Sequence, residues 1–325
     1  MQGENLLNMI KPGEGVADYK DNEAFKKSLM EFKIPYREKL NLPDYITIGI
    51  EIETNAVRYW TSFKSRKIFL PWKVKYDSSV PKGAEFISPI LRDDEKSWKG
   101  LKNICTFLKE KSTEFDMDPG GGHIHIGAQV FRNGFETIMK FIKFWSVFED
   151  IIIEFGRGEY TMGRPGENKY AGSSRKRIDY VVDFCSQYHV GMNILGYISR
   201  KYALNFSNLK TCEMGKKNTV EFRSPNGTIE AVIWQNNVNF FAHLVDFSNS
   251  EKFDEKLINE MYFNKDYAQG FEGACVLADM IFEDNFDKIC FLRQFVKSEN
   301  DPGEFGRREC FFENCAEELQ IEAGA

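Results

Sequence analysis

Histidine is scarce in this sequence, at 4 in 325 residues, and no two of its 7 cysteines form a CxxC pair. The missing pairs exclude a zinc-finger framework, whose ligand spacing is fixed. The cysteines (Cys105, Cys185, Cys212, Cys275, Cys290, Cys310, Cys315) are odd in number and scattered, and read as reduced thiols of a cytoplasmic protein. No apolar run approaches the roughly 20 residues that a membrane helix needs, so no membrane partner is expected. The opening MQGENLLNMIKPGEG lacks a basic start followed by an apolar core, and no signal peptide is expected. Basic charge is not in excess either. The net charge of −6 gives no sign of the basic face that nucleic acid requires. There is no P-loop, no Rossmann glycine pattern, no internal repeat and no low-complexity tract.

What is present suits a globular chain. Hydrophobic residues make up 42% and charged residues 28%, with 29 Phe available for a large core. Residues 45–53 read YITIGIEIE, with Ile46, Ile48, Ile50 and Ile52 alternating with Thr47, Gly49, Glu51 and Glu53. A period of two is the mark of a strand with one apolar face. The stretch 72–80 (WKVKYDSSV) alternates again, and a turn at Pro81–Gly83 leads into AEFIS at 84–88, so a hairpin is expected. Helices are expected over 22–33, 93–114 and 135–155. Between the last two, Pro119-Gly120-Gly121-Gly122 is read as a chain break before the strand HIHIG at 123–127.

Residues 156–175 are Gly-rich and basic, a loop, followed by helical sequence to about Lys201. A strand is expected over 218–225 (NTVEFRSP), then a helix opening at Asn226-Gly227-Thr228. The rest reads as helical to about 298, ending in an acidic tail expected to fray. Strands with hairpin pairing, then helices, predict an α+β fold with an antiparallel sheet backed by helices. Three stretches follow: an N-terminal extension at 1–44, a central domain at 45–250 and a helical C-terminal region at 251–325.

Four candidate strands carry ionisable side chains on one face: Glu51 and Glu53, Asp77 and Glu85, His123 and His125, then Glu221 and Arg223. Taken singly, the carboxylate and Glu-x-Arg sets read as ordinary polar strand faces, and His-x-His as either a site or a pair of surface or core histidines. Together they crowd five carboxylates onto one surface. Two unit charges 4 Å apart repel by about 4 kcal/mol at an effective dielectric of about 20. Protonation, pairing or bound cations relieve that repulsion. Oxygen-rich sites suit Mg²⁺ or Mn²⁺, and imidazoles move the preference toward Mn²⁺ or Zn²⁺. Arg223, two residues beyond Glu221, is the residue type that grips phosphate.

The motif order GIEIE, DSSVPKGAE, GGGHIHIG and VEFRSPNGT resembles the amidoligase family, which groups with glutamine synthetase and glutamate–cysteine ligase. The likeness covers about residues 45–248. It implies a concave glutamine synthetase-like half-barrel sheet holding two or three Mg²⁺ (or Mn²⁺) ions and ATP. On that resemblance Glu53, Asp77 and Glu85 match the ligands of one ion, and Glu51, His123 and Glu221 those of another. Arg223 matches the arginine on the transferred phosphate, His125 and Tyr170 lie near the nucleotide, and Arg164 belongs to the catalytic set. Arg200 and Asn205 match a hold on the substrate carboxylate. The implied reaction is ATP-dependent joining of an amino-acid, peptide or protein carboxylate to an amine through an acyl phosphate. The loop at 156–175 is either a lid or an ordinary surface loop, and either Glu159 or Glu167 serves as base. Rival readings are a metal-dependent hydrolase, a binding module that has lost catalysis, and a guanidino kinase on the same sheet.

Overall fold

The computed structural model describes residues 2–54, 71–77, 83–115, 119–157, 171–188, 191–209 and 217–299. Its centre is a six-stranded sheet in the order β2-β3-β1-β4-β6-β5, built from β1 (Ile48–Thr54), β2 (Lys73–Asp77), β3 (Gly83–Ile87), β4 (Pro119–Gly127), β5 (Leu204–Asn205) and β6 (Thr219–Phe222). Every pairing is antiparallel, as the hairpin-like sequence predicts. The isoleucines of β1 explain its position. Ile48, Ile50 and Ile52 are at most 2% exposed, a strand flanked on both edges and covered on its apolar face.

The cover is helical: α3 (Glu95–Phe115), α4 (Phe135–Arg157) and α6 (Ala231–Asp246) supply much of it. Phe222 of β6 carries the junction, stacked on Trp145 of α4 at 5.7 Å between ring centroids and on Phe241 of α6 at 4.4 Å. Offset aromatic contacts of this kind contribute about 0.5–1.5 kcal/mol each beyond the area they bury. Because side chains alternate along a strand, fixing Phe222 toward the helices turns Glu221 to the opposite face.

The flanking segments join the same core. The helix expected at 22–33 is α2 (Glu23–Glu31), started by the Asn22 side chain accepting the Phe25 amide at 3.0 Å. Phe25 and Leu29 are buried against α9 (Asn285–Glu299). Ahead of it, after α1 (Gln2–Met9), the amides of Val16 and Ala17 donate to Asp279 of α8 (Gly270–Ile281) at 3.0 and 2.9 Å. With α7 (Glu255–Asn264), α8 and α9 are the helices of the stretch from 255 to 299. The tail beyond it, and most of the 156–175 loop, lie outside the described residues.

Three boundaries differ from the sequence reading. The PGGG tract does not break the chain but forms the first turnless half of β4. Its glycines serve close packing: a Cβ on Gly122 would meet Cη2 of Trp234 at 1.9 Å. The helix expected to open at Asn226 starts at Ala231, because Thr228 Oγ1 accepts the Glu230 amide at 3.0 Å and holds the turn out of the helix. The helical sequence after the loop is α5 (Arg175–Gln187), followed by a 3-10 turn at Met192–Tyr197 rather than one long run.

His243 of α6 gives a test of this packing. Its ring lies edge-on to Phe282 at 5.1 Å and its Nε2 is buried with no hydrogen-bond partner. Burial holds its pKa below the ordinary value, against the upward pull of Asp287 and Asp246. The folded chain therefore keeps His243 neutral where the unfolded chain protonates it. Stability should fall as pH drops through about 6.5 and level off below the folded pKa. Urea midpoints between pH 7.5 and 5.5 should decline more for the wild type than for His243→Gln; parallel slopes would refute the assignment.

Candidate metal centre on the open sheet face

The sheet register decides which polar side chains meet. Glu53 pairs with Glu85 across β1 and β3, Glu51 with His123 across β1 and β4, and His125 with Glu221 across β4 and β6. Asn205 of β5 sits opposite Glu221. All of these side chains lie on the face away from the helices. They are nevertheless buried: Glu51, Glu53, Glu85, His123, His125 and Glu221 are each 3–6% exposed. A buried carboxylate is costly without a cation or donors beside it.

Two groups form, sharing one imidazole. Glu51, His123, His125 and Glu221 bring one ligand atom each within 4.8 Å of the others, and so do Glu53, Glu85 and His123. His123 Nδ1 lies 3.0 Å from Glu51 Oε2 and 3.6 Å from Glu221 Oε1, while its Nε2 faces Glu53 Oε1 at 3.4 Å. The two ring nitrogens thus address different groups. His125 Nδ1 meets Thr219 Oγ1 at 3.1 Å, which turns Nε2 toward Glu51 Oε1 at 3.3 Å. Both Nε2 atoms are buried and make no hydrogen bond. Ligands at right angles on an ion bound at about 2.1 Å stand about 3 Å apart, so these spacings match a cation's donor set.

The carboxylates are held by further donors. Glu221 Oε2 accepts from Asn205 Nδ2 and Asn208 Nδ2, each at 2.7 Å, and Oε1 pairs with Arg223. Glu53 Oε2 accepts the Gly121 amide at 3.0 Å. Lys217 pairs with Glu51, and Lys75 with Glu85 at 2.5 Å. Burial works to raise the pKa of Glu51, but the hydrogen bond with His123 and the close His125 outweigh it and hold the carboxyl well below the usual range. Glu221 is lowered too, burial being outweighed by the fields of His123, His125 and Arg223. Glu85 goes the other way, pushed up to about 7 by burial and by the charge of Glu51. Burial holds His123 below its ordinary pKa and therefore in the neutral form that ligates metals.

The family model described as "putative amidoligase enzyme" matches residues 46–245. The chain belongs to this amidoligase family. No curated protein and no solved structure matches it.

Of the residues that the resemblance marks in this chain, the structure gathers Glu51, Glu53, Glu85, His123 and Glu221. It adds His125, expected beside the nucleotide, to the first group. Arg223 adjoins through Glu221, and Asn205 meets the same carboxylate. Arg200 is exposed in the turn ahead of β5. Asp77 ends β2 in register with Gly83, while its side chain, with Arg164, Tyr170, Glu159 and Glu167, lies outside the described residues. Asn208, Lys217, Thr219 and Lys75 belong to the site and were not singled out in the sequence. Thr219 and Lys75 share the site's face of their strands, whereas Asn208 and Lys217 reach in from segments without alternation. Among the described residues no helix is long and apolar enough to cross a membrane.

Proposed function

We propose that the chain is an ATP-dependent carbon–nitrogen ligase that joins the carboxylate of an amino acid, peptide or protein to an amine. The observation that carries this reading is the pair of buried Glu/His groups sharing His123, on the sheet of a chain that belongs to the amidoligase family. Both groups fit divalent ions: carboxylates dominate, imidazoles stand among them, and two buried Nε2 atoms make no hydrogen bond. Glu51, His123, His125 and Glu221 would hold one Mg²⁺ or Mn²⁺, and Glu53 and Glu85, with Asp77, another. Bound there, the ions supply charge that phosphate oxygens require.

In the reaction we infer, a substrate carboxylate oxygen attacks the γ-phosphorus of ATP, giving an acyl phosphate and ADP. The amine nitrogen then attacks the acyl carbon, an amide bond forms, phosphate leaves and the nitrogen loses a proton. Arg223 is 13% exposed and already aligned at the edge of the first group by its contact with Glu221. Its planar guanidinium suits the phosphoryl oxygens during transfer. Asn205 and Asn208 keep Glu221 from rotating. Tyr170 and Arg164 complete the nucleotide and catalytic sets, and Arg200 with Asn205 the carboxylate hold, on the strength of the family resemblance. The same likeness supports the glutamine synthetase-like form of the sheet, and the cytoplasm is the compartment that supplies ATP to such an enzyme.

Phosphate release in the presence of ATP and Mg²⁺ or Mn²⁺, with pooled amino acids, short peptides and amines, tests this. Turnover should require an acid and an amine together and fall by about 10²-fold or more in Arg223→Ala, the scale seen when a transition-state donor is removed. Glu53→Ala should behave likewise. Metal-dependent hydrolysis of a substrate without ATP would instead establish a hydrolase.

A further inference from the structure

Among the described residues, a lysine meets each of the two ligand groups. Lys217, just ahead of β6, pairs with Glu51 of the first group, and Lys75 of β2 pairs with Glu85 of the second. The lysine side chains are 52% and 58% exposed, while those of Glu51 and Glu85 are 8% and 6% exposed. Two long side chains therefore reach from solvent to set their charged ends on buried carboxylates. A carboxylate withdrawn from water needs a counter-charge, and a flexible ammonium provides it at the loss of its own rotamer freedom.

We propose that Lys217 and Lys75 are tethered counter-ions that neutralise the two ligand groups in the metal-free chain and are displaced when divalent ions bind, so that they set the metal affinity. The inference rests on the metal-site reading above. An ammonium and a divalent ion compete for the same carboxylate oxygens. Removing the ammonium removes the competitor, and the ion then binds more tightly. A charge-assisted contact of this kind corresponds to roughly a tenfold effect on affinity. A lysine that merely supported the fold would have the opposite signature, since its loss would loosen the site and weaken binding.

Calorimetric titration of the full chain with Mn²⁺ separates these cases without any assay of turnover. Lys217→Met is expected to bind Mn²⁺ about tenfold more tightly than the wild type and to melt at a lower temperature when metal-free. Lys217→Arg, which keeps the charge, should stay close to the wild type. Should Lys217→Met fail to fold, Lys75→Met carries the same expectation. Equal or weaker affinity in the methionine variant, with normal binding by the wild type, overturns the inference alone. A wild type that takes up no Mn²⁺ overturns the metal-site reading and this inference with it.

Discussion

Replacing Glu51 with glutamine is expected to abolish metal binding at the first group and to lower ATP-dependent turnover by about 10³-fold or more. Glu51 is the hub of the first group: one oxygen lies 3.0 Å from His123 Nδ1 and the other 3.3 Å from His125 Nε2. Its carboxyl is held ionised by those imidazoles despite its burial. Glutamine keeps the shape and loses the charge, and its amide nitrogen turns donors toward the space where an ion would sit. Metal ions contribute several kcal/mol to phosphoryl chemistry, and about 1.4 kcal/mol is a factor of ten, which gives the scale of the loss. Metal binding to the folded chain also raises its stability, by about 2.7 kcal/mol at a hundred times Kd. Melting curves with and without Mn²⁺ should separate clearly for the wild type and by less for Glu51→Gln, which keeps only the second group intact. A variant that keeps the wild-type metal shift would show that Glu51 is not a ligand.

Gly122→Ala is expected to destabilise the chain by about 1–3 kcal/mol and to weaken metal binding at the same time. The added methyl would stand 1.9 Å from Trp234 Cη2 and 2.8 Å from Cζ2. Trp234 is fully buried, and its Nε1 donates to the Thr228 carbonyl at 2.8 Å, so the ring has little room to withdraw. The strand must shift instead, and it carries Gly121, whose amide holds Glu53, and His123, which both groups share. For a chain of this size the change should lower the melting temperature by several degrees. Trp234→Phe removes the atoms that the methyl would strike. The double variant should recover metal affinity relative to Gly122→Ala, and equal affinities would exclude steric transmission through Trp234.

These two residues mark what could and could not be read from the sequence. Glu51 was legible because Ile48, Ile50 and Ile52 alternate with it, and a period of two assigns opposite faces with no tertiary information. The same rule put Glu53, Glu85, His123, His125 and Glu221 on one surface, and the antiparallel register then brought them into contact. Gly122 was misread. Three glycines in a row weaken any local strand preference, and only the approach of Trp234, more than a hundred residues later, explains why a side chain is excluded there. Asn208 and Lys217 escaped for a related reason. Their role lies in how far an amide or an ammonium reaches from an irregular segment, and irregular segments carry no period. β5 is two residues long, too short for alternation to register. For His125 the strand face was legible and its partner was not. Its link to Glu51 depends on the turn imposed by Thr219 on the neighbouring strand.

Anomalous diffraction at the manganese edge, from crystals grown with Mn²⁺ and a non-hydrolysable ATP analogue, tests the paired ion site most directly. Two peaks are expected on the sheet face, one among Glu51, His123, His125 and Glu221 and one beside Glu53 and Glu85. Crystals whose manganese lies elsewhere, or that carry none between these side chains, would contradict the paired site.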